Sequence, residues 1–211
     1  LIKDTPIIDS IHLNAGVDNQ KNISRVLHLA NGNIKNWVSS GGDKKRARLI
    51  SVPIENKKIE SANLKNKLGI NDKKNIFGFS QRKDDSIFSE IPLNAYSAIE
   101  DDQSSFIVLG GSPKYQKQAN ELKLKSFFQI DFDSVENLEE LFLNTLTIFT
   151  HGRKDGEINS TAIALAMRNG LPIVSHISKF NNGHIEQISN AGKVCKDTPE
   201  YILELKKLLN N

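Results

Sequence analysis

The side chains best placed to do chemistry lie in one stretch, His151–Gly170, which reads HGRKDGEINSTAIALAMRNG. An apolar run ends at Thr150, a polar loop follows with Asp155, Gly156 and Glu157, and a helical pattern opens at Ser160 and Thr161. Ser160 fits an N-cap, and Gly170 fits a helix stop ahead of the apolar run that starts at Pro172. A helix amino terminus presents unpaired backbone N–H groups and the positive end of a dipole, which suits a phosphate or diphosphate. Glu157, just before it, is a carboxylate that can accept hydrogen bonds from sugar hydroxyls. The alternative is a loop acid that merely favours the helix dipole.

Other candidates lie upstream. Arg82 and Lys83 follow an apolar run, and a guanidinium there suits phosphate oxygens. With Asp84 and Asp85 they also read as a solvated charged turn. Gly110 and Gly111 form a glycine turn, which by itself only reverses the chain. His12 closes an early strand pattern. His28, His151, His176 and His184 show no i, i+4 spacing to one another, so no metal site is expected. Cys195 is alone, which excludes a disulfide framework and points to a small buried residue. The basic run 44–48 reads as a solvated loop, and it lacks the interleaved aromatics of a nucleic-acid groove.

The elements that must position these residues are legible from about Asn75 onward. Apolar runs at 75–80, 105–110, 127–130, 147–150 and 172–175 alternate with helical patterns at 91–101, 114–123, 135–143, 161–169 and 199–209. Strands apolar on both faces and separated by helices predict a parallel sheet covered on both sides, with ligands beyond the carboxyl ends of its strands. The first sixty residues differ. Segments 6–13 and 49–52 read as strands and 23–29 as a helix, too few to close a core alone. They are expected to be the end of a preceding α/β domain, with residues 1–57 forming that remnant and linker and 58–211 the Rossmann-like domain. The chain starts at Leu1, as a fragment would. With 38% hydrophobic and 25% charged residues, a net charge of +3 and no apolar run near the ~20 residues of a membrane span, a cytoplasmic protein, at most peripheral to a membrane surface, is expected.

Several of these segments resemble, in order and spacing, the retaining glycosyltransferases of family 4, which have the GT-B fold. That family has a Glu, seven residues, a second Glu, then Ala-Met, two residues and Gly before a Pro-containing strand. Here the pattern reads Glu157, seven residues, Leu165, Ala166-Met167, Arg168-Asn169, Gly170 and Leu171-Pro172. Leu165 replaces the second acid, which in the family holds the ribose hydroxyls. The resemblance implies that Arg82, on the Gly78–Arg82 turn, meets the donor diphosphate. Ile87 stands where the family has a lysine, and Lys83 is the available substitute.

It further implies donor contacts from Ser80, Gly110, Gly111, Asn159, Ser160 and Thr161. Ile130 and Asp131 would lie nearest the nucleotide base. Glu157 and His12 would orient the donor sugar, His12 from across the cleft. The implied reaction moves a sugar from a UDP- or GDP-linked donor to a sugar, lipid or protein acceptor, without metal and with a missing amino-terminal domain completing the cleft. Two rivals stand beside it: a non-catalytic GT-B-like binding or scaffold subunit, favoured by Leu165 and the missing lysine, and a nucleotide-sugar epimerase of the same architecture, which would be expected to show more acidic and His groups near the cleft than this sequence offers.

Overall fold

The computed structural model describes residues 5–12, 16–18, 20–55, 62–134 and 137–210, and among them the chain lays down a three-stranded and then a six-stranded parallel sheet, with a two-stranded parallel pair besides. The first sheet contains β1 (Ile7–Ile11) and β2 (Ile23–His28), followed by α1 (Asn31–Ser39) and β3 (Ala47–Leu49), in the order β1-β2-β3. Segment 23–29, expected as a helix, is therefore a strand. Its apolar residues 23, 26 and 27 fit either period, and pairing with β1 on one side and β3 on the other decides it. The helix of this layer is α1, whose Ile34, Trp37 and Val38 pack on Ile11, Ile23, Val26 and Ala47.

The last strand lies at 47–49 rather than 49–52, so the basic run is not a free loop. Arg46 donates to the Gln20 carbonyl, and Arg48 donates to those of Lys45 and Ala47. The expected boundary at 57/58 and Leu13 lie outside the described residues.

The second layer opens with α2 (Lys65–Leu68), β4 (Asn75–Gln81), α3 (Ile91–Ser97), β5 (Ser104–Gly110), α4 (Lys114–Glu121) and β6 (Phe127–Ile130). It continues with α5 (Leu138–Thr145), β7 (Ile148–Thr150), the two-residue β8 (Gly156–Glu157), α6 (Thr161–Arg168) and β9 (Ile173–His176). It ends with β10 (Asn181–Asn182), α7 (Gly183–Ile188), β11 (Gly192–Cys195) and α8 (Thr198–Leu209). The main sheet runs β11-β9-β7-β4-β5-β6, and every neighbouring pair is parallel. All five expected strands are in it, and β11 adds an edge strand that the sequence reading did not include.

β4 and β5 are central and almost wholly buried. Their Phe77, Phe79 and Phe106 meet Tyr96 of α3 and Tyr115 of α4 ring to ring at 5.0–5.4 Å, and Phe79 meets Phe106 at 5.8 Å. Truncating one of these rings costs about 3–5 kcal/mol, so this cluster fixes where the strand ends lie. Cys195 is fully buried, and burial pushes its thiol up to about 12. No helix of the described residues is long and apolar enough to cross a membrane.

The sheet order reverses direction between β4 and β7. Crossovers from β4 lead one way to β5 and β6, while β7, β9 and β11 build out the other way. In such sheets the crevice beyond the carboxyl ends of the two diverging strands is open to a ligand. Residues 80–82 and 151–153 stand at that crevice. Three links set the first sheet over it: Asn159 Nδ2 donates to the Leu29 carbonyl, Asn31 N and Nδ2 donate to Glu186 Oε2, and Arg168 Nη1 donates to the Glu55 carbonyl.

Candidate functional site

Loop 151–160 crosses the switch point and is held by charge rather than by regular structure. Arg153 donates Nε and Nη2 to Asp155 at 2.9 and 2.7 Å, and Nη1 to Glu157 Oε1 at 2.9 Å. One guanidinium thus spans the loop and aims a carboxylate. Gly156, between the two acids, has φ +67°, and any side chain there would run into the Asn181 carbonyl of the neighbouring strand β10. The result is a Glu157 whose side chain is only 17% exposed.

Behind Glu157 stand three buried histidines. His151 Nδ1 is 2.8 Å from Ser175 Oγ, and its Nε2 is 3.9 Å from Glu157 Oε1, outside hydrogen-bond range. The His184 ring packs on His151 at 5.3 Å, with its nitrogens 3.1 Å from the His176 carbonyl and 3.4 Å from that of Glu157. Burial holds all three below the ordinary imidazole range, so they are neutral near pH 7. Burial alone would raise the Glu157 carboxyl. The Arg153 guanidinium outweighs it, and Glu157 lies below its ordinary value, ionised at neutral pH.

The helix terminus is built as its sequence suggests, with one refinement. Ser160 caps α6 by accepting from Ile163 N, and its own N–H donates to Gln187 Oε1 at 2.8 Å, so its amide is already used. Thr161 and Ala162 carry the first-turn amides that have no intrahelical acceptor. Both line a hollow of about 310 Å³ shared with Ser80, Arg82, Glu157 and Asn159.

A larger cleft of about 660 Å³ lies between the two sheets and joins Ser10 and His12 of the first layer to Arg82, Arg153, Glu157, Asn159 and Thr161 of the second. His12 is exposed there, with its Nε2 3.0 Å from Ser10 Oγ. The structure therefore brings His12, Ser80, Arg82, Glu157, Asn159, Ser160 and Thr161 to adjoining hollows.

It does not bring the rest. Lys83 points the other way, into an ion pair with Asp131 at 2.8 Å. Ile130 ends β6 half-buried against the main core. Gly110 and Gly111 adopt φ +72° and +75°, and side chains there would strike Phe132 and Gln81 or Val108. Their carbonyls accept from Gln129 Nε2 at 2.8 and 3.3 Å, which makes the turn a structural one. Arg82 is 62% exposed and bonded to Asp84 through Nε and Nη2 at 3.0 and 2.9 Å. Ile87, where the family has lysine, is buried.

Arg153 is the cleft residue that sequence reasoning passed over. Its signal was present, since 153, 155 and 157 alternate opposite charges across a glycine, but a loop has no periodicity to reveal a shared face. Phe132 and Glu139, which also line the smaller hollow, were not singled out, because the α6 residues that share it lie far along the chain.

No protein-family model and no curated protein matches this chain. Solved structures do. A glycosyltransferase from Rickettsia africae ESF-5 superposes with a TM-score of 0.79 at 12% identity, over 96% of this chain and 60% of that one. Anabaena Alr3699/HepE in complex with UDP-glucose gives 0.73 at 15% identity, over 97% and 62%. A TarM variant from S. aureus in complex with fondaparinux, α-GlcNAc-glycerol and UDP gives 0.71 at 13% identity, over 97% and 44%. The chain thus spans about three-fifths or less of these relatives' lengths. Its fold, a six-stranded parallel sheet flanked by helices with a three-stranded parallel sheet beside it, is like that of these GT-B glycosyltransferase structures.

Proposed function

We propose that this chain carries the donor site of a glycosyltransferase that takes a UDP- or GDP-linked hexose and transfers it with retention. The observation that carries this reading is the convergence of His12, Arg82, Glu157 and the α6 amino terminus on one cleft at the sheet's switch point. That the HepE structure holds UDP-glucose supports a uridine nucleotide as the first donor to test.

Each residue then has a role set by its chemistry. The first-turn amides of Thr161 and Ala162, with Arg82, stabilise the diphosphate as it leaves. Glu157, held ionised and oriented by Arg153, accepts hydrogen bonds from the hexose hydroxyls, and His12 faces the sugar from the first layer. In a front-side displacement the departing diphosphate oxygen takes the acceptor proton, so no separate base is required. The protein supplies position and charge.

Calorimetric titration of this chain with UDP and GDP tests the binding half. A dissociation constant between micromolar and millimolar is expected for at least one, about −8 to −4 kcal/mol. No heat with either nucleotide would remove the reading. In the intact parent protein Glu157→Gln is expected to abolish most sugar transfer while leaving nucleoside diphosphate affinity within twofold. Wild-type turnover in that variant returns Glu157 to a loop acid.

A further inference from the structure

The groove along α6 does not end at the helix terminus. The hollow of about 310 Å³ that holds Arg82, Glu157 and Thr161 is walled on its far side by Phe132 and Glu139. Past those same two residues it opens into a second hollow of about 380 Å³, closed by Leu165 and Arg168. A ligand with its diphosphate at Thr161 and its hexose toward Glu157 can extend in this direction.

The two walls of this extension differ in chemistry. The α6 wall presents Ala162 and, one turn on, Leu165, neither able to hydrogen-bond through its side chain. The opposite wall presents Glu139 in the first turn of α5, and its carboxylate makes no hydrogen bond or ion pair with any other described residue. Burial raises the Glu139 carboxyl, and the charge of Arg168 across the groove works against that rise. Beside it, Phe132 is 42% exposed, a large aromatic at the groove rim whose other side is packed over Gly110. A carboxylate facing a groove accepts two hydrogen bonds from a vicinal diol, and a half-exposed ring offers a surface for a flat heterocycle.

We propose that Glu139 holds the ribose hydroxyls of the bound nucleotide from α5, with Phe132 beside it against the base. The inference rests on the donor-site reading above. It assigns the polar contact to the wall opposite Leu165, so that the apolar residue on α6 does not leave the ribose unrecognised. Arg168 sits where it offsets the charge of a carboxylate placed near a diphosphate.

The test is titration of the wild-type chain, Glu139→Gln and Phe132→Ala with UDP, 2′-deoxy-UDP and inorganic pyrophosphate, with the guanosine pair substituted if GDP is the nucleotide that binds. Wild type is expected to prefer the ribonucleotide about tenfold, the scale of one charge-assisted hydrogen bond. Glu139→Gln should reduce that preference to within twofold and leave pyrophosphate affinity unchanged. Phe132→Ala should weaken both nucleotides equally and spare pyrophosphate. Because neither side chain belongs to the core, an unchanged melting temperature checks that the variants are folded. A preference that survives Glu139→Gln, or that is absent from wild type while UDP still binds, overturns the Glu139 assignment alone. Failure of wild type to bind UDP, GDP and pyrophosphate overturns the donor-site reading and this one with it.

Discussion

The charges that line the cleft come in two kinds. On the β7 side, Arg153, Glu157 and His151 have side chains 14%, 17% and 5% exposed; Arg153 holds Glu157, and Ser175 holds His151 behind it. On the β4 side, Arg82 and Lys83 are 62% and 56% exposed, each paired with a nearby acid. The first group is desolvated and pre-aimed, so losing one member strands another in low dielectric. The second group exchanges partners at little cost, because exposed pairs contribute about 0–1 kcal/mol. A donor site needs both. The neutral sugar must meet a rigid carboxylate, while a doubly charged phosphate can draw a flexible guanidinium away from its resting acid.

The difference is sharpest at Arg153. Replacing Arg153 with Ala leaves the Glu157 carboxylate buried without its cation and is expected to cost about 3–5 kcal/mol of stability, read by urea unfolding. Adding Glu157→Gln to that variant should restore part of the loss, since the stranded charge is then gone. A cost below about 1 kcal/mol would place the β7-side network in the same class as surface pairs.

Buried histidines, three of them behind Glu157, set the response to pH. His28, His151, His176 and His184 are all held below their ordinary value by burial. A histidine whose folded value is depressed binds its proton more readily when unfolded, so acid favours unfolding. Stability is therefore fully present above the unfolded value near 6.5 and falls as pH drops below it. A decline of about 2–3 kcal/mol between pH 7 and pH 5 is expected, well within the limit of ~1.4 kcal/mol per pH unit for each group. Glu157, depressed by its partners, acts only at lower pH, so a flat profile from 7 to 5 would contradict the neutral histidine cluster.

On the exposed side the effects belong to ligand binding. Arg82→Ala is expected to weaken nucleoside diphosphate binding by about 1–3 kcal/mol while barely affecting the free nucleoside. Equal losses for both ligands would mean that Arg82 acts through the fold and not through phosphate.

The two kinds of charge also differed in how readily the sequence disclosed them. The strands of the main sheet announced themselves as apolar runs, and Ser160 announced the helix terminus. Their parallel order then fixed the crevice, which made Glu157 and Thr161 findable. What stayed hidden depended on side chains meeting across the fold. Segment 23–28 carries a spacing that serves helix or strand, and only its neighbours β1 and β3 decide. α1 was overlooked because its first residues, Asn31-Gly32-Asn33, are weak helix formers without a side-chain cap, and its stability comes from Trp37 and Ile34 on the small core. Lys83 was the available substitute for the lysine that Ile87 replaces, and the turn sends it to Asp131 instead.

The smallest expected effect isolates the resting partner of Arg82. Asp84 accepts from Ser86 N at 2.9 Å and from Ser86 Oγ at 2.6 Å, as well as from Arg82, and these contacts hold its carboxyl at about 2. It is thus ionised at any working pH and competes with phosphate for the guanidinium. Asp84→Asn keeps an oxygen for Ser86 N, so the turn at 85–87 should persist and the melting temperature should not move. Removing the competing charge should tighten pyrophosphate and nucleoside diphosphate binding by less than tenfold, and the gain should vanish in an Arg82→Ala background. A gain that survives without Arg82 would mean that Asp84 repels the phosphates directly. Weaker binding would mean that the Asp84 pair holds Arg82 in its productive place, and the exposed side of the cleft would then be as pre-organised as the buried one.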